Sequence, residues 1–252
     1  MAIIHERIIE QAEPAVIHDI AVGAFWIAVL AGDPPRCGLA SLLRPEYTDH
    51  GMLPKIHYPL QRQNAEAIIR LFLSSDTVEA GIGLAALNAL IPINADSCIK
   101  RHAADMILEE SAGKDVVVVG HFPFVEDLRH TASECHVLEL KPRDGDLPAE
   151  QAPYVLPDAE IAIFSSTTLM NNTFDMLCSL CRNTCTLFMV GGSTPLTPVL
   201  FNSGVDHIAG TVIDDPVAAF MAVRQGARFP QIPGRIPVIM SRSDLPEKSE
   251  EK

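Results

Sequence analysis

The sequence predicts an α/β protein in which a small α+β unit precedes a mostly parallel sheet covered by helices on both faces. Three observations carry this. The second half alternates apolar strand-like runs with helical segments, the first half groups its strands before its helices, and 252 residues suffice for two domains. Hydrophobic residues make up 48% and charged residues 20%, which excludes wholesale disorder and collagen-like chains.

Residues 3–12 place Ile4, Ile8, Ile9 and Ala12 at helical spacing up to Pro14. Residues 16–31 are rich in Val, Ile, Phe and Trp, and the turn Gly32-Asp33-Pro34-Pro35 separates them from residues 37–43. Two or three antiparallel strands are expected. From Gln63 the spacing becomes helical through Phe72, then again from Val78 to Ala89, ending before Pro92. This first domain is assigned to residues 1–97.

The second domain is assigned to residues 98–244. Strands are expected at 116–119, 136–140, 161–164, 186–190 and 205–209, with helices at 124–131, 173–181, 195–203 and 216–225. Asp215 caps the last of these helices and Pro216 takes its first position. Residues 141–157, with four prolines, read as a long connection. The polar end, 245–252, reads as a disordered tail.

Lys plus Arg number 19 against 32 Asp plus Glu, a formal charge of −13 that repels polyanions, so nucleic acid is not an expected partner. No apolar stretch reaches the ~20 residues of a membrane helix, and residues 1–14 lack a secretory pattern. A cytoplasmic protein with no membrane partner is expected, its six cysteines as thiols. A homo-oligomer is also expected.

In parallel sheets ligands bind beyond the carboxyl ends of the strands, and three such segments are rich in suitable groups. Gly120-His121-Phe122-Pro123-Phe124 follows the valine run; Gly120 permits close backbone approach, and His121 supplies a titratable or coordinating imidazole. Ser165-Ser166-Thr167-Thr168-Leu169-Met170-Asn171-Asn172-Thr173 holds more hydroxyls and amides than helix capping requires. Gly191-Gly192-Ser193-Thr194 combines two permissive glycines with two hydroxyls, and matches neither the dinucleotide fingerprint nor a P-loop. Cys178, Cys181 and Cys185 have a spacing that invites a metal. Their apolar neighbours Leu177 and Leu180, and the lack of a second CxxC, favour core thiols instead.

These segments resemble the family described as putative heavy-metal chelation proteins, a domain of unknown function. The resembling residues are Gly120 to Phe124, Glu139 to Pro142, Thr167 to Thr173 and Gly192 to Leu196. They continue through Leu200 to Asp206, Ala209-Gly210, Asp215 and Gln225-Gly226. The first domain resembles the family's N-terminal unit at Gly23-Ala24-Phe25-Trp26, Gly38-Leu39-Ala40 and Gly83 to Ala89. The resemblance implies an enolase-N-terminal-like domain joined to a Rossmann-like domain, with a ligand cleft between them. One position departs from the family pattern: Asn172 stands where a glycine is expected, and asparagine can adopt the left-handed conformation.

The expected function is binding of a small molecule or metal chelate in that cleft. Gly120, Gly191 and Gly192 would give backbone approach, Thr167, Ser193 and Thr194 hydrogen bonds, and Asn171 an orienting amide, with Asn88 reaching in from the first domain. The cofactor class this admits is a divalent transition metal. The alternative is a lyase or transferase acting on a phosphorylated or carboxylated metabolite, with His121 as acid or base.

Overall fold

The computed structural model describes residues 3–44, 60, 64–94 and 97–244; the expected tail lies outside them. Helix α1 (Ile3–Ile9) leads into an antiparallel meander of β1 (Ile17–Val22), β2 (Trp26–Ala31) and β3 (Arg36–Ser41). Helices α2 (Ala65–Arg70) and α3 (Thr77–Leu90) follow, and α3 packs on β2 and β3. Asp76 starts α3 by accepting hydrogen bonds from the backbone N–H groups of Val78 and Glu79.

The second unit opens with α4 (Ala103–Glu110), β4 (Asp115–Val119), α5 (Val125–Thr131) and β5 (Glu134–Glu139). Next come the two-residue β6 (Leu147–Pro148), α6 (Ala152–Val155) and β7 (Ile161–Ser165). The chain then forms α7 (Thr167–Met170), α8 (Phe174–Leu180), β8 (Thr186–Val190), β9 (His207–Ile213), α9 (Pro216–Arg224) and β10 (Arg235–Ser241). The seven-stranded sheet runs β10-β9-β8-β7-β4-β5-β6, parallel except for β10, which pairs antiparallel with β9. Counted from β4, its parallel strands lie in the doubly wound order 3-2-1-4-5-6, whose direction reverses between β4 and β7.

Alternation along β4 explains the covering of both faces. Val117 joins one buried cluster with Leu156, Phe174 and Leu177, while Val116 and Val118 join another with Ile107, Val125 and Leu128. The first of these clusters also takes in Ile27 and Val29 of β2 and Leu84 and Leu87 of α3, so the two units share a core. A third cluster packs α9 through Ala219, Phe220 and Val223 against Ala28 and Leu39 of the meander. No helix among the described residues is long and apolar enough to cross a membrane.

Three local expectations change. Residues 195–203 do not form an α-helix; Pro195 and Pro198 leave only a 3-10 helix at Pro198–Ser203, capped by Thr197. The connection at 141–157 contains β6 and α6. β10 and α4 were not foreseen.

Candidate functional site

The reversal of strand order puts the end of β4 beside the end of β7, and two cavities open there. The larger, ≈ 460 Å³, lies between the units. Trp26 and Ser41 of the first unit meet Arg101 and His102 at the start of α4, and His121 and Phe122 after β4. Ser165 and Ser166 after β7, Gly191 and Gly192 after β8, and Phe229 beyond α9 complete the wall. The smaller, ≈ 90 Å³, lies between the ends of β4, β5 and β7, lined by Gly120, Glu139, Thr167, Asn171, Thr173 and Met176. Ser165 lines both. A wider depression of ≈ 840 Å³ sits away from the strand ends, around Glu13, His18, Asp33 and Arg36. There Arg36 pairs with Glu13 at 3.5 Å, and His18 Nε2 is bonded to the Gly32 carbonyl.

The structure divides the residues singled out in the sequence into three groups. His121, Gly191 and Gly192 face the larger cavity, and Gly120, Thr167 and Asn171 the smaller. Asn88, Ser193 and Thr194 line neither; Asn88 and Ser193 are packed into the seam, and Thr194 is buried. Asn88 Nδ2 donates to the carbonyls of Leu39 (2.8 Å) and Ser193 (3.0 Å), and Ser193 Oγ accepts from the Ser41 N–H at 2.8 Å. These polar groups therefore tie the units together. Thr194 is 3% exposed and its hydroxyl has no partner.

The glycines serve the chain's own packing. A Cβ on Gly192 would lie 2.4 Å from Phe229 Cε2 and 2.9 Å from Trp26 Cη2, so the bare backbone carries this aromatic pair. Gly120 and Gly191 have positive φ, and their faces are filled by Ser165 and Ser166. In the loop after β7, Thr167 Oγ1 and Ser165 Oγ are 2.8 Å apart, and Asn171 Oδ1 accepts from Thr173 Oγ1 at 2.7 Å. Asn172 adopts φ 59°, the left-handed conformation that a glycine would otherwise supply.

His121 has an unforeseen partner. Its Nδ1 lies 3.3 Å from Oδ2 of Asp146, an ion-pair separation whose alignment falls short of a hydrogen bond. Asp146 has a fully enclosed side chain; its Oδ1 accepts from Arg129 Nη2 and its Oδ2 from the Arg143 N–H, both at 3.1 Å. The carboxylate is thus fixed from two sides before it meets the imidazole. With Nδ1 turned to Asp146, Nε2 is the nitrogen left for the cavity. Parallel pairing of β5 with β6 brings residue 146 to this position, a long-range contact with no local signature. Trp26, Arg101, His102 and Phe229 were likewise missed as site residues. The sole tryptophan was a usable clue to the first.

No group of three or more His, Cys, Asp or Glu side chains among the described residues is placed to hold a metal ion. The cysteine trio is no exception. Burial pushes Cys178 up to about 12, and Cys181 is held protonated by its hydrogen bond to Cys185, reinforced by burial. That bond in turn lowers Cys185. Cys178 and Cys181, held as thiols, are thus poor ligands, since metal binding needs thiolates, and Cys185 alone makes no site.

Fold and cavity together define a two-unit α/β protein with an aromatic-walled opening at its sheet's switch point. The chain belongs to the family described as "Putative heavy-metal chelation": the DUF364 model matches residues 102–239, and the DUF4213 model, with the same description, residues 5–91. An uncharacterized protein of Methanocaldococcus jannaschii is 29% identical over 206 residues, covering 79% of this chain and 78% of its own. A crystal structure of a DUF364 protein of unknown function from Desulfitobacterium hafniense superposes with TM-score 0.82 at 27% identity, over 95% of this chain and 98% of that one. A second DUF364 structure, from Pyrococcus horikoshii, also has TM-score 0.82 at 20% identity, over 94% and 98%; at that identity it speaks to the fold alone.

Proposed function

We propose that the protein binds a small anionic ligand or metal chelate in the larger cavity between its two units. The carrying observation is electrostatic. In a chain of formal charge −13, counted with histidine neutral, no described residue lining this cavity is acidic; Arg101, which also pairs with Glu109, is its fixed cation, and His102 and His121 add two imidazoles. The ≈ 460 Å³ volume falls within the ~300–1,000 Å³ of small-molecule sites. The family description supports a heavy metal as cargo. The described donors do not fit a bare ion, because zinc-type sites take three or four protein ligands and no such cluster is assembled.

The test is anaerobic purification, metal analysis, and calorimetric titration with cobalt, nickel, zinc and iron, each alone and with small carboxylate chelators. Micromolar binding of a chelate or of a chelator is expected. No binding by any combination rules the reading out. A homo-oligomer belongs to the same proposal, and light scattering at the monomer mass counts against it.

A second reading, an enzyme acting on a carboxylated or phosphorylated metabolite, is favoured by the His121–Asp146 pair. With the Asp146 carboxylate 3.3 Å behind Nδ1, Nε2 is the nitrogen left to exchange a proton with a ligand in the cavity. His121→Ala then abolishes turnover while ligand affinity changes less than about tenfold, and unchanged turnover removes His121 from the chemistry.

A further inference from the structure

The cavity has aromatic walls as well as basic groups. Trp26 and Phe229 are stacked with centroids 4.7 Å apart, and Phe122 and Phe124 with centroids 5.2 Å apart and planes 9° from parallel. All four line the same space. Both pairs are braced from behind. The Arg235 guanidinium sits 4.6 Å from the Phe229 ring centroid, anchored by hydrogen bonds to the carbonyls of Ile232 and Pro230, and Phe124 is buried under Phe122. Rings fixed before binding lose little entropy when a ligand stacks on them.

A wall with a cation and no carboxylate favours an anion, stacked rings favour a flat π-system, and too few described donors converge to strip a metal ion of its own ligands. We infer that the occupant is a planar, conjugated organic anion of the aromatic-carboxylate class, and that a heavy metal enters only when bound to it. This rests on the reading of the cavity as the ligand site.

Matched probes test it. Benzene-1,3-dicarboxylate and cyclohexane-1,3-dicarboxylate carry the same charge on a flat and a puckered ring; pyridine-2,6-dicarboxylate adds chelation, titrated with and without zinc, beside zinc alone. Calorimetry gives affinity, and emission of Trp26, the chain's single tryptophan, reports whether binding occurs at this wall. The flat acid is expected to bind about tenfold more tightly than the puckered one and to quench Trp26. Both effects should fall about tenfold in Phe122→Leu. Arg101→Gln, at the partly exposed start of α4, provides a second variant should the first fail to fold.

Equal affinity of the two acids with Trp26 still quenched overturns the planar class and leaves the cavity reading standing. Binding that leaves Trp26 emission and both variants unaffected overturns the cavity reading too. Zinc alone binding more tightly than its pyridine-2,6-dicarboxylate complex overturns the requirement for a chelator. Absence of binding by every probe overturns the proposal outright.

Discussion

Gly192 shows how little room a single residue has at this site. Its missing Cβ is replaced by Phe229 and Trp26, and Phe229 is clamped by Arg235, so the rings can give way only toward the cavity. Gly192→Ala should displace the pair, cost about 1–3 kcal/mol as overpacking does, and shift Trp26 emission to longer wavelength. An unchanged emission maximum would mean that the pair adapts. The thiols make the opposite case. Cys178 and Cys181 pack against the core and the Cys181 thiol donates to the Leu177 carbonyl, so the double change to Ala should cost about 1–3 kcal/mol through lost packing. Ligand and metal binding should be unaffected. Binding lost from a folded variant would instead make the trio the chelation site.

At the scale of elements, sequence legibility tracked local signals. Helix α3 is the clearest case, legible from its apolar spacing up to Pro92; the structure adds Asp76 as its cap, and Asp76→Ala should cost about 1 kcal/mol by denaturant titration, with a loss below a few tenths showing that the shared core alone holds the helix. The valine run of β4, buried on both faces, was equally legible. Helix α4 escaped because Ile107 is its only buried side chain and His102 makes no side-chain cap. β10 escaped because Pro237 interrupts its apolar run; an edge strand tolerates this, and among the described residues its outer side is met by a bridge from Ile99. At the site, the strand-end loops were visible as glycine and hydroxyl clusters, but not the direction of their side chains. Ser193 turns into the seam, Thr194 is buried, and Asp146 arrives by strand pairing from a segment read as mere connection.

For the molecule as a whole, one core runs through both units, so a perturbation at the far end of the sheet should register in global stability. His207 offers such a handle. It opens β9, stacks on Phe188 at 4.4 Å, faces Ser241 Oγ through Nδ1 at 2.9 Å, and has Glu110 at 3.6 Å from Nε2. Burial lowers its pKa below the ordinary 6.5, more than the nearby carboxylates raise it. The folded state thus prefers the neutral ring. As pH falls through 6.5 the unfolded chain takes up this proton before the native protein does, so stability present above that value is lost between 6.5 and the lower folded pKa. Self-repulsion of a chain at −13 weakens over the same range and acts in the opposite direction, which is why the comparison must be with His207→Asn. That variant should be less stable than the native protein at pH 8, where the stacked ring is lost, and the gap should narrow as pH drops toward 5. A gap that stays constant or widens on acidification would show that Glu110 and Asp206, not burial, govern the ring.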